Sequence, residues 1–176
     1  AHLDLVKRWG GLPGKNWILK TDLFEEAMGS DAFLKDLCAD GRGVIGIDIS
    51  PAIVAQARRR DLQERAHYVA ADVRHLPFAN RAFTLIISPS TLDHFAEPAD
   101  LGCSLRELAR ILATGGRLII TLDNRQNIFD PLLRLAARLG QVPYYIGRSY
   151  KISELASELE AARLAVPQYR APWKFM

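Results

Sequence analysis

Cysteine is scarce in this 176-residue chain, which holds only Cys38 and Cys103. They fall in predicted helices without paired spacing, which argues against a disulfide framework or a zinc site and points to a reducing cytoplasm. Long apolar runs are missing too. None approaches the ~18–20 residues that a membrane helix needs, so no stable membrane insertion is expected. The opening "AHLDLVKRWGGLPG" has no continuous apolar core and does not read as a secretory signal. A dense basic patch is also absent. The net charge of +3 comes from arginines spread along predicted helices rather than clustered with aromatics, so nucleic acid is not an expected partner. The last absence is local. "KTDLFEEAMG", residues 20–29, stands where a nucleotide-binding α/β protein keeps its glycine-rich loop, yet it offers only Gly29.

Strand and helix signals then alternate through one domain of ordinary size, with no internal repeat. Strands are predicted at 17–23, 43–50, 67–72, 83–88 and 115–123. Ser30 offers an N-cap to a helix through "DAFLKDLCAD", which the glycines of "GRG" close. Ser50–Pro51 gives an N-cap followed by proline at the first helical position. Residues 97–112 form an amphipathic helix with Leu101, Leu105, Leu108 and Leu112 on one side. Two further helices are expected at 128–140 and 151–164, and "AVPQYRAPWKFM" begins a last strand. Apolar strands alternating with helices predict a doubly wound, mostly parallel α/β sheet covered on both faces.

In such sheets ligands bind beyond the carboxyl ends of the strands, where strand order reverses. Four places qualify: Asp22, Asp48, Asp72 and the run from Ser88 to His94. Asp48 ends the second strand about 20 residues past the first strand–helix turn, where a carboxylate accepts both hydroxyl protons of a ribose. Asp72 is placed to accept from the exocyclic amine of an adenine, with Val73 against the ring.

Three segments carry a family resemblance: "GVIGIDISPAIVAQAR", "YVAADVRHLPFANRAFTLIISPSTLDHF" and "LARILATGGRLIITLD". Together they resemble the Rossmann-like, class I S-adenosylmethionine-dependent methyltransferases, over residues 17–123 in order and spacing. The resemblance implies S-adenosyl-L-methionine as cofactor, with Asp48 on its ribose and Asp72 and Val73 on its adenine. Asp22 matches the acid that ends the family's first strand. Glu26, Gly29, Ile49 and Ser88 complete the expected cofactor contacts. It also implies a seven-stranded sheet whose last two strands form a hairpin, of which only the start is visible here. The departure is the first motif, where the family's Gly-x-Gly is replaced by larger side chains.

Charge discriminates between cofactors. Asp22, Glu25 and Glu26 would repel a pyrophosphate at this turn, each close contact costing ~1 kcal/mol in water-like surroundings. The sulfonium and ammonium of S-adenosylmethionine suit acids, so an NAD-linked oxidoreductase is disfavoured. Methyl transfer asks for positioning, water exclusion and a base where the acceptor loses a proton. His94 is the expected base, and Asp93 an expected substrate or cofactor contact. Residues 124–150 are expected to cover a small, apolar acceptor. The alternative is a domain that keeps the fold as a binding or scaffold module without catalysis.

Overall fold

The computed structural model describes residues 17–29, 33–38, 42–95, 97–122, 150 and 152–165. The helix expected at 128–140, the cover at 124–150 apart from Tyr150, the cap Ser30 and the last strand lie outside the described residues. Among those described, no helix is long and apolar enough to cross a membrane.

The chain opens with β1 (Ile18–Lys20), α1 (Phe24–Met28) and α2 (Phe33–Cys38). There follow β2 (Val44–Asp48), α3 (Pro51–Arg60), β3 (His67–Ala70) and β4 (Phe83–Pro89). The described part ends with α4 (Pro98–Ile111), β5 (Leu112–Thr121) and α5 (Ile152–Ala161). The five strands form one sheet in the order β3-β2-β1-β4-β5, every neighbouring pair parallel. Order reverses between β1 and β4, so the crevice between their carboxyl ends is the switch point.

Alternation along each strand feeds two cores, one per face of the sheet. Leu19, Ile47 and Ile86 pack with Leu101, Leu105 and Leu108 of α4. Ile18, Val44, Leu85 and Ile87 pack on the other face with Leu23, Ala27, Leu34 and Ala57. Ser50 caps α3 as expected, its hydroxyl accepting from the N–H of Ile53 at 3.4 Å.

Several boundaries differ from the sequence reading, and the helix read from Ser50–Pro51 through "AIVAQARRRDLQERA" ends at Arg60. The first strand stops at Lys20, and a five-residue helix, α1, occupies the stretch read as a loop. Arg60 of α3 holds that helix by donating to the carbonyls of Ala27 and Gly29 at 2.8 and 2.7 Å. Leu112 begins β5 instead of ending the preceding helix, because it pairs with Phe83 before a register shift at Leu85. The "LPFAN" turn is a structural clamp. Arg110 donates to the carbonyls of Leu76 and Phe78 and to the Asn80 side chain at 2.8–2.9 Å, while Glu107 accepts from the N–H of Leu76.

Candidate functional site

The carboxyl ends of β1, β2 and β4 bring the first expected groups together. Asp48 bridges two turns: one carboxylate oxygen accepts from the N–H of Ser50 at 2.9 Å, the other from the N–H of Leu23 at 3.2 Å. The second bond ties the end of β2 to the turn after β1, beside Asp22. Asp22 accepts from the N–H of Phe24 at 3.0 Å. Burial pushes its carboxyl above the ordinary range, Lys20 opposes that shift, and the negative charge of Asp48 adds to it. His94 also acts on Asp22 electrostatically, so the post-β4 turn belongs to the same rim.

A knot of hydroxyls closes the switch point. Thr21 donates to the hydroxyl of Ser88 at 2.9 Å and shares a second 2.9 Å bond with the hydroxyl of Thr91. The N–H of Thr21 also donates to the carbonyl of Ile87, extending the β1–β4 pairing by one residue. Ser88 is wholly buried in this knot, so it supports the rim from behind instead of lining it. Ser90, at φ 44°, takes the left-handed conformation that costs a non-glycine residue, and its N–H is held by the carbonyl of Thr121 at 2.8 Å. This bend starts the turn that presents Asp93 and His94. Asp93 is buried, whereas the His94 side chain is 54% exposed, with its Nε2 3.8 Å from Asp93 Oδ1.

Asp72 stands apart, clamped by Arg74. The guanidinium meets both carboxylate oxygens at 2.6–3.0 Å and reaches Asp100 on α4 at 3.0 Å. These bonds hold the Asp72 carboxyl below its usual range. The backbone N–H of Arg74 adds a bond to one carboxylate oxygen at 2.9 Å, so three donors of one residue share the roughly four acceptor sites of the carboxylate and leave one. Val73 is buried in the core beneath, and Ile49 is exposed next to Asp48.

The acidic turn is not what its sequence suggests. Glu26 does not present a bare charge, because its Oε2 lies 2.7 Å from the ammonium of Lys20, with both side chains buried. Burial raises the Glu26 carboxyl despite that partner. Among the described residues, the negative charge left unanswered at this turn is therefore that of Asp22 and Glu25, not that of Glu26. Gly29 is also spoken for: a Cβ there would stand 2.7 Å from the carbonyl oxygen of Glu25, so its bareness serves the end of α1. Leu23 fills the space where a glycine was expected, packing on Gly46 of β2, where an added Cβ would lie 2.5 Å from its side chain.

Sequence reasoning missed Lys20, Thr21 and Thr91. A usable signal was present for Lys20: a lysine following Ile18 and Leu19 in a strand buried on both faces needs an internal counter-charge.

Asp22 and Asp48 thus bring two carboxylates onto one rim. Residues 25–120 match the family described as "Methyltransferase domain". The chain is 32% identical over 120 residues to a demethylmenaquinone methyltransferase of Beutenbergia cavernae, covering 68% of this chain and 44% of that protein. It thus spans less than half the length of that relative. The YcgJ protein of Bacillus subtilis has the same fold, with a TM-score of 0.71 at 21% identity over 93% of this chain and 68% of that one. So has a geranyl diphosphate C-methyltransferase of Streptomyces coelicolor, solved with S-adenosyl-L-homocysteine bound. Its TM-score is 0.70 at 15% identity over 92% of this chain and 57% of that one.

Proposed function

The chain belongs to the family of methyltransferase domains, and on that premise we propose that it transfers a methyl group from S-adenosyl-L-methionine to a small, apolar acceptor. The observation that carries this reading is the pair of carboxylates, Asp22 and Asp48, brought to the switch point on adjoining turns. When bound, the cofactor supplies a methyl group already activated on a positive sulfur. Everything else falls to the chain's own residues. Asp48 accepts from the ribose hydroxyls, and its bonds to Leu23 and Ser50 hold it in place beforehand. Asp72, kept ionised by Arg74, accepts from the adenine amine beside Ile49. Asp22 faces the positive end of the cofactor, and Ser88 braces the rim through Thr21. His94 takes the proton that the acceptor loses, with buried Asp93 below it.

Support for an apolar acceptor comes from Phe24, a large apolar side chain left exposed two residues after Asp22, whose carboxylate its N–H meets. The relatedness to a demethylmenaquinone methyltransferase supports a small-molecule acceptor over nucleic acid. Free Cys38 and Cys103 support a reducing, cytoplasmic setting.

Calorimetric titration with S-adenosylhomocysteine tests the reading. Wild type is expected to bind in the micromolar range and Asp48→Ala about 10- to 100-fold more weakly, as loss of charged hydrogen bonds implies. With a demethylated quinone as acceptor, His94→Asn is expected to keep cofactor affinity and lose turnover. Absence of any binding would instead favour a scaffold domain, since α1 fills with side chains the turn where bare backbone was expected.

A further inference from the structure

Lys20 is the least expected charge in the sheet. It ends β1 at 2% exposure, next to Ile18 and Leu19. Its ammonium donates to Glu26 at 2.7 Å and to the backbone carbonyl of Asp22. The Glu26 side chain is only 7% exposed, and its second oxygen, Oε1, is buried with no hydrogen-bond partner among the described residues. Such a pair is a poor source of stability. Removing two charges from water offsets most of their attraction, and an orphaned carboxylate oxygen adds a further penalty.

What the pair does supply is direction. Lys20 grips the carbonyl of the residue that carries the half-buried carboxylate of Asp22, and Glu26 holds Lys20 from the first helix. The N–H of Phe24 fixes one oxygen of Asp22, while the other accepts no hydrogen bond among the described residues. On the far side, Leu23 is tied to Asp48. The turn from Lys20 to Glu26 is therefore held at both ends, with one acceptor of Asp22 left to a ligand.

Resting on the cofactor reading above, we propose that the buried Lys20–Glu26 pair is a positioning device that holds Asp22 as the receptor for the α-ammonium of S-adenosylmethionine. A salt bridge here does what bare glycine backbone would otherwise do: it shapes the turn around the amino-acid end of the ligand. Asp22 makes the contact; Lys20 and Glu26 act through it. The consequence is selectivity for ligands that carry the amino-acid tail.

Two probes separate tail from nucleoside. S-adenosylhomocysteine carries both, and 5′-methylthioadenosine lacks the amino-acid end. Wild type is expected to prefer the first by at least about tenfold in calorimetric titration, the weight of one charged hydrogen bond. Lys20→Met/Glu26→Leu replaces the pair by apolar side chains and is expected to keep its Tm, because such swaps are neutral or stabilising. It should bind 5′-methylthioadenosine within about twofold of wild type while its preference for S-adenosylhomocysteine falls by about tenfold. Adding Asp22→Ala should then cost nothing more, since the residues act as one unit. A double variant that keeps the wild-type preference, or an additive loss with Asp22→Ala, overturns the proposal. If that apolar pair does not fold, Lys20→Leu/Glu26→Met, which also removes both charges and the bond between them, is held to the same two criteria. Failure of wild type to bind either probe would overturn the cofactor reading itself, a result distinct from unchanged preference in the variant.

Discussion

Asp22 meets two opposed demands. Its carboxylate is half-buried beside Asp48, and the loss of solvation raises its pKa even with Lys20 nearby. A carboxyl raised in the folded state binds protons more readily there than in the unfolded chain, so its charge destabilises the fold at neutral pH. Asp22→Asn keeps an acceptor for the N–H of Phe24 and removes the charge. We expect its Tm at pH 7 to rise by ~1–4 °C, with cofactor affinity reduced, the usual exchange of stability against function at a binding site. The sign of the pH effect follows. The gain is complete above the raised pKa of Asp22 and fades as pH falls through it to the ordinary carboxylate value, below which wild type is protonated as well. Thermal melts from pH 7.5 to 4 check this, and a constant difference across that range would refute it. Asp72 runs the other way, since Arg74 depresses its carboxyl. Its contribution is present above the ordinary carboxylate range and is lost as pH falls through the depressed value. Because the pair is partly exposed, that contribution is small.

At the scale of elements, the junction of β1 and β4 depends on hydroxyls rather than on apolar packing alone. Thr21 lies 67 residues from Ser88 and 70 from Thr91, yet it bonds both. Thr21→Val preserves shape and leaves the Ser88 hydroxyl buried without that partner, a cost of about 1–3 kcal/mol. Expected are a Tm lower by ~2–9 °C and recovery of most of it in Thr21→Ser. A melt of Thr21→Val indistinguishable from wild type would show the knot to be incidental. The same scale shows what was legible in advance. Strands β2, β3 and β4, helix α4 and the start of α3 were read to within two residues, because apolar periodicity and the Ser50–Pro51 start are local signals, whereas α3 ends at Arg60, six residues before the Ala66 that the sequence suggested. Helix α1 was not. Its five residues carry too little periodicity to be recognised, and it is held by Arg60 from α3, more than thirty residues away.

The whole molecule sets the site through strand order. Reversal between β1 and β4 opens one crevice, and the two cores pin the strands on either side of it. A ligand seated there binds only the folded chain, so S-adenosylhomocysteine at 100 times its Kd should add about 2.7 kcal/mol, or roughly 5–10 °C in Tm. NADH at the same concentration should add nothing measurable, because its pyrophosphate would meet Asp22 and Glu25. Thermal shift measures both, and equal shifts would undo the discrimination argued from charge. By itself the sequence determined the fold class, most elements and the residues at the strand ends, for these follow from local periodicity, capping and the rule that sheets bind ligands at their carboxyl edge. Asp22, Asp48 and His94 could thus be named as neighbours of one crevice. Only the tertiary structure decided which of those charges are available. Glu26 is answered by Lys20, Ser88 is sealed behind Thr21, and Gly29 serves the end of a helix. Each of those outcomes is a contact between side chains and backbone brought together by folding, and the electrostatics of a buried group depends on what surrounds it in space rather than on what adjoins it along the chain.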